Sequence, residues 1–294
     1  MSSTSQPTYF VTGATGQLGR QVVAALLQRV PASAVVAGAR DTEGEAAQSL
    51  RRLGVAVRRA DYADPTSLDA ALEGIQRLLL ISSSEIGRRV AQHRNVIDSA
   101  KRVGVGLIAY TSVLHADTSA LALAEEHRRT ERLLEASGVP FVLLRNGWYT
   151  ENYAAGIASA LAHGAVLGCA GDGRIASAAR ADYAAAAASV LTADGQSGRI
   201  YELSGDEAYT LTEFAAAIAA AAGKPVTYRD LPQAEYRAAL VGAGMPADFA
   251  ALLADSDAAA ARGALNDDTR QLSALIGRPT TPYRSTVRDA VARL

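Results

Sequence analysis

Through the first half of the chain, short unbroken apolar runs alternate with segments whose apolar residues recur every three or four positions. The runs at 9–12, 35–39, 55–58, 77–81, 107–111 and 141–145 have the length and composition of strands covered on both faces. Between them, 19–29, 44–53, 67–72, 88–103 and 123–137 carry helical spacing. Several of these close at a glycine (Gly54, Gly104, Gly138), the usual residue just past a helix end. Alternation of this kind predicts βαβ units around a parallel, doubly wound sheet. After Arg145 the rhythm changes: 151–163 and 182–191 read as helices, and 199–203 as a short strand. From Leu211 the chain is Ala-rich and helical, with Pro225, Pro232, Pro246, Pro279 and Pro282 marking breaks. The expected organisation is an α/β sheet domain over 1–148, to which 178–204 returns, and a smaller, mainly helical lobe over 149–294. That lobe is expected to close over the sheet's carboxyl edge or to form an oligomerisation surface.

Composition narrows the classes without naming a function. The 294 residues, 49% hydrophobic and 20% charged, suit a soluble globule with a generous core. Twenty-nine Lys and Arg against 30 Asp and Glu give a net charge of −1, which offers no basic field to nucleic acid or anionic membrane. Met1 to Thr8 lacks an apolar core and reads as a loose leader, and no apolar run reaches bilayer length. One cysteine, Cys169, excludes an intrachain disulfide and suits a reducing, cytoplasmic setting. The histidines (His93, His115, His127, His163) show no ligand spacing, so no metal site is expected. Neither a G-x-S-x-G elbow nor a G-x-x-x-x-G-K-[ST] loop occurs.

The candidate chemistry starts at Thr12–Gly19, a G-x-x-G-x-x-G turn (Gly13, Gly16, Gly19) between the first strand and the first helix. Glycines there permit a tight turn, a close approach to phosphate and close helix–strand packing, so the turn predicts a Rossmann dinucleotide site; an ordinary βα turn is the plain alternative. Thr15, Gln17 and Leu18 belong to the same turn. About twenty residues beyond it stands Arg40, where the adenosine ribose is read. An arginine there can take a 2′-phosphate bidentately and favours NADPH, whereas the adjacent Asp41 could serve the ribose of NAD, and a solvated surface role for Arg40 stays open. Asp61 is placed to accept from the adenine amino group or to cap the turn before Asp64-Pro65. Ser82 and Ser83 leave room for pyrophosphate and ribose, and Thr111 and Ser112 lie where the nicotinamide half is expected.

An absence weighs as much as these groups. Short-chain dehydrogenases commonly carry Tyr-x-x-x-Lys on the helix after the fifth strand, the lysine lowering the tyrosine pKa. This chain has His127 and Glu131 there, so ordinary alcohol dehydrogenation through that pair is excluded. His127 is a candidate acid or ribose contact, with a helix-surface histidine near Glu131 as the alternative. Asn146 and Tyr149, in the polar–aromatic exit of the sixth strand, are candidates for binding a flat carbonyl substrate. Trp148 is expected to pack, and His115 is a further donor candidate.

On the stretches TGATGQLG (12–19), LLLISSS (78–84), QHRN (92–95), IAYTSVLHADTS (108–119), LRNGWYTENY (144–153), AGDGRIASAARADY (170–183) and LIGRPTTP (275–282), the chain resembles the NmrA-like, atypical short-chain dehydrogenases. Within that group it is similar to the bacterial type 2 NAD(P)H:quinone oxidoreductases. The resemblance implies an NADPH-dependent quinone reductase with a Rossmann domain and a small carboxyl-terminal lobe. It implies cofactor contacts at Gly13, Gly16, Gln17, Leu18 and Arg40, and substrate contacts at Asn146 and Tyr149. Relatives with lysine at the position of Glu131 lend this chain no role for that residue. The group also implies two alternatives: a regulator that binds NADP(H) without turnover, and an NADPH reductase of dyes or small carbonyls. A homodimer through 88–103 and 123–137 is compatible with the pattern.

Overall fold

The computed structural model describes residues 7–294; residues 1–6 of the expected leader lie outside the described residues. In chain order the sheet-forming half runs β1 (Tyr9–Val11), α1 (Gln17–Leu27), β2 (Val35–Ala39), α2 (Glu45–Arg52), β3 (Ala56–Arg59), α3 (Pro65–Leu72), β4 (Arg77–Leu80), α4 (Arg89–Val103), β5 (Leu107–Val113), α5 (Ala124–Ser137) and β6 (Phe141–Asn146). It continues through α6 (Thr150–Ala154), α7 (Ile157–His163), β7 (Ala165–Gly168), α8 (Arg180–Thr192) and β8 (Ile200–Leu203). The remainder is α9 (Leu211–Ala222), β9 (Thr227–Asp230), α10 (Gln233–Gly242), α11 (Ala247–Ala260), α12 (Gln271–Ile276) and α13 (Tyr283–Val291).

The seven-stranded sheet has the order β3-β2-β1-β4-β5-β6-β8, the doubly wound Rossmann arrangement. β1 pairs parallel with both β2 and β4, so the order reverses between β1 and β4 and leaves a crevice beyond their carboxyl ends. Burial follows position in the sheet. All residues of β1, β2 and β5 are buried, whereas the edge strand β3 is half-exposed and carries Arg58 and Arg59. One apolar cluster joins Phe10, Leu78, Leu80, Ile108, Tyr110 and Leu143 of the strands to Leu68 and Leu72 of α3 and Val96 and Ile97 of α4. α4 ends at Gly104, whose φ of +79° is the left-handed conformation that a glycine adopts without Cβ strain. The exposed positions of α4 and α5 include Arg94, Asp98, Lys101, Arg102, Arg129, Arg132 and Glu135, so those faces are charged.

The chain divides into two compact units. The first contains residues up to Ser112, Glu126–Arg145 and Tyr183–Tyr201; the second contains Val113–Glu125, Asn146–Asp182 and Glu202–Leu294. The second unit begins three residues before the expected boundary and also takes 113–125. Its core gathers Trp148, Ile157, Tyr209, Leu211, Phe214, Ile218, Tyr283 and Val287, with the rings of Tyr209 and Tyr283 stacked at 4.0 Å. Two features of this unit differ from the sequence pattern. The helix expected over 151–163 is two helices, parted at Ala155-Gly156, and β7 and β9 form a two-stranded parallel sheet where no strand was expected. Among the described residues no helix is long and apolar enough to cross a membrane.

Candidate active site

The crevice beyond β1 and β4 holds a cleft of about 640 Å³ in the first unit. Gly13, Thr15, Gly16, Gln17, Leu18 and Gly19 form its floor, Arg40 and Asp61 one side, and Ser82 and Ser83 the other. Ten of the twelve residues expected to hold a dinucleotide therefore come together, whereas Thr111 and Ser112 do not line the cleft. The local reasons are steric. Gly13 has a φ of +56°, and a Cβ on Gly19 would stand 2.3 Å from the Gly13 carbonyl oxygen and 2.7 Å from Ala14 Cα. Gly16 precedes α1 with extended backbone and no side-chain cap, so the first amides of an 11-residue helix are left for an anion. Glycine without Cβ, uncapped amides and a guanidinium at one wall are the donor set that a dinucleotide phosphate chain and a 2′-phosphate require, so the cleft fits NADPH.

Arg40 and Asp41 both line the cleft, and their neighbours differ. Asp41 Oδ1 accepts from the amides of Glu43 (2.9 Å) and Gly44 (3.1 Å) and is spent on the turn into α2. Arg40, its side chain 73% exposed, reaches Glu85 at 3.2 Å. Asp61 accepts from the Ala63 amide at 2.9 Å, so it shapes its turn while lining the cleft. Tyr62, given no role from the sequence, anchors the glycine turn: its hydroxyl lies 2.5 Å from Thr12 Oγ1 and donates to the Ile81 carbonyl at 2.7 Å. Burial raises its phenol pKa and keeps it protonated. Glu85 and Gln92 also line the cleft without having been singled out as site residues.

Beneath Ser82 and Ser83 lies a buried polar network. The Ser83 amide donates to His93 Nε2 at 2.9 Å, which leaves the proton on Nδ1 to meet Thr130 Oγ1 at 3.0 Å. Burial and the nearby Arg89 push His93 down to about 3. His127 is 3% exposed, with Nδ1 2.7 Å from the Tyr110 hydroxyl, so the surface alternative fails. Burial, then Arg89 and His93, hold its pKa well below the usual imidazole value, so the ring is neutral. Thr111 Oγ1 accepts from the Ser82 amide (2.9 Å), and Ser112 donates to Glu131 (2.5 Å). Glu131 is in turn held by Arg145 through Nε (3.0 Å) and Nη2 (2.8 Å), both side chains 7% exposed. Where a short-chain dehydrogenase has its tyrosine and lysine, this chain has a neutral histidine and a neutralised carboxylate.

The second unit presents the other candidate group. Asn146 supplies a hydrogen bond to the Tyr149 hydroxyl, while its own Oδ1 is buried with no hydrogen-bond partner. Burial raises the Tyr149 pKa, the Asn146 bond and the Arg180 charge opposing it only in part. The Arg180 guanidinium sits 5.0 Å over the Tyr149 ring and is fixed by Asn152 at 3.0 Å. Trp148 is buried in the core, and Tyr153 donates to Asp257 at 2.8 Å, so both are structural. His115, at a left-handed φ of 52°, lies 3.7 Å from both Glu202 and Asp267.

The sequence profile of the NmrA-like family matches residues 5–269. The chain belongs to the NmrA-like family. It is 54% identical to Quinone oxidoreductase 2 of Escherichia coli over 277 residues, 94% of this chain and 96% of that one. The structure of an NADPH-dependent quinone oxidoreductase from Escherichia coli complexed with NADPH matches with a TM-score of 0.93, over 96% of this chain and 99% of that one. Triphenylmethane reductase from Citrobacter, complexed with NADP(H), is 36% identical and matches with a TM-score of 0.92, over 96% of this chain and all of that one. Both solved structures therefore share the overall fold of this chain.

Proposed function

We propose that the protein reduces quinones to hydroquinones with NADPH, by direct hydride transfer. The observation that carries this reading is the 54% identity, across nearly the whole chain, with an enzyme named for quinone reduction. The cleft supports it, because Arg40 lines it where a 2′-phosphate is read, while one carboxylate oxygen of the neighbouring Asp41 is taken up by the amides of Glu43 and Gly44. In this reading Gly13, Thr15, Gly16, Gln17, Leu18 and Gly19 take the pyrophosphate, Arg40 the 2′-phosphate, and Asp61 the adenine edge. Ser82, Ser83, Thr111 and Ser112 shape the remainder of the cofactor's path.

When bound, NADPH supplies two electrons and one hydrogen nucleus as hydride. The chain's own groups then hold the acceptor and stabilise the phenolate oxygen that develops on it. Tyr149, kept protonated by burial, donates a hydrogen bond to that oxygen, and Asn146 orients the phenol. His127, kept neutral, braces Tyr110 and gives no proton; solvent provides the one proton that, with the hydride, completes the hydroquinone. A quinone accepts hydride readily, so positioning supplies much of the rate and the missing Tyr-x-x-x-Lys is no handicap. The single cysteine, Cys169, buried and outside any disulfide, accords with a cytoplasmic setting.

The deciding assay follows NADPH and NADH oxidation at equal protein concentration, with and without 1,4-benzoquinone, after subtraction of the uncatalysed rate. Saturable quinone-dependent turnover with NADPH well above NADH is expected. Tight NADPH binding with no turnover would replace the reductase by a dinucleotide-sensing regulator.

A further inference from the structure

We infer that Glu85 sets the strength of the cofactor preference by competing with the 2′-phosphate for Arg40. The inference rests on the reading of the cleft as an NADPH site. Arg40 follows β2 and Glu85 stands in the loop between β4 and α4; these strands flank β1, over whose glycine turn the cofactor runs. Both side chains line the cleft, and they meet at 3.2 Å.

Glu85 is equipped to give Arg40 up. Its second oxygen takes Arg88 Nη1 at 3.1 Å and Gln92 Nε2 at 2.9 Å, while its backbone amide donates to Ser83 Oγ at 3.1 Å. The loop is pinned from behind by Arg89, which donates to the Ser83 carbonyl at 2.7 Å and pairs with Glu126 at 2.8 Å. Releasing Arg40 therefore leaves the carboxylate with two partners and the loop where it is. Arg40 is in the opposite position: its guanidinium is largely solvated, and its 3.2 Å contact with Glu85 is a weak surface pair. A phosphate, more highly charged and able to accept two parallel hydrogen bonds, takes the guanidinium from the carboxylate. The exchange costs NADPH part of its affinity. NADH, whose ribose carries hydroxyls, leaves the Arg40–Glu85 pair in place and bears no such cost.

Titration calorimetry of the wild type, E85Q, R40Q and the double variant with NADPH, NADH and 2′,5′-ADP tests this. Glutamine removes the charge and keeps hydrogen-bonding capacity toward Arg88 and Gln92. E85Q is expected to tighten NADPH and 2′,5′-ADP about two- to fivefold, the worth of an exposed ion pair, and to leave NADH unchanged. In the R40Q background the same change should give no gain, since the two residues act through each other. Unchanged or weaker NADPH binding by E85Q overturns the proposal, as does an equal gain with and without Arg40. Those results leave the reductase reading standing, provided the wild type binds NADPH. A wild type that binds no NADPH overturns both.

Discussion

Tyr149 has the chemistry of a hydrogen-bond donor. A phenol whose pKa is raised by burial does not ionise near neutral pH, so it can steady a developing phenolate without surrendering its proton. Tyr149→Phe removes the donor and keeps the ring on which Arg180 rests. Quinone kcat/KM should fall about 10- to 100-fold, with the Kd for NADPH within about twofold of wild type; unaltered steady-state kinetics would remove Tyr149 from the mechanism. At this scale the sequence was readable where function follows spacing. Arg40 stands at the expected distance from the glycine turn, and the cleft gathers ten of the twelve residues named for the cofactor, without Thr111 and Ser112. It was unreadable where function follows contact: Glu85 meets a partner 45 positions away. For His127 the sequence left a site role and a surface role open, because helix α5 turns polar side chains inward, a burial that no hydrophobic period announces.

The inward polar face of α5 is held to the sheet by the Ser112–Glu131–Arg145 group, which joins β5, α5 and β6. A buried ion pair of this kind contributes little against an apolar substitute, but breaking it strands a charge in the interior. Glu131→Gln should lower stability by about 3 kcal/mol in urea unfolding, and Glu131→Lys, which sets two cations together, by at least as much. Lysine at this position would then bring no alcohol dehydrogenase activity, because the tyrosine it would assist is His127. A Glu131→Gln protein as stable as wild type would show that the pair is solvated. Other elements follow the same division between period and contact. Strands buried on both faces announce themselves as apolar runs, and β2 begins and ends at the residues expected. β7 and β9 do not, since each has four residues, half of them or more in contact with solvent, in Ala-rich surroundings that favour helix. The break at Ala155-Gly156 leaves the apolar pattern uninterrupted, so spacing alone predicts one helix there.

For the whole molecule, the two units give the chain opposing responses to acid. The first contains His93 at about 3 and His127 well below its ordinary value, so folding holds both neutral. A histidine whose folded pKa is depressed contributes its full stability above the unfolded value near 6.5; below that pH the unfolded chain takes up protons that the folded one refuses. The second unit contains Asp257, raised to about 6 mainly by burial, with the opposite sign: folding favours its protonated form, so its cost grows as pH rises from about 4 to 6. Global unfolding alone would blur the two, and variants separate them. Between pH 7 and pH 5 the wild type should lose about 2 kcal/mol more stability than His93→Gln, since each neutral buried imidazole costs about 1.4 kcal/mol per pH unit below 6.5. Asp257→Asn, which removes the opposing carboxyl, should lose more stability on acidification than the wild type, by about 1 kcal/mol. Parallel pH–stability curves for all three proteins would show that these groups titrate alike folded and unfolded. A His93→Gln curve steeper than the wild type would reverse the sign and place a protonated imidazole in the folded interior, where the Ser83 amide proton on Nε2 leaves no room for one.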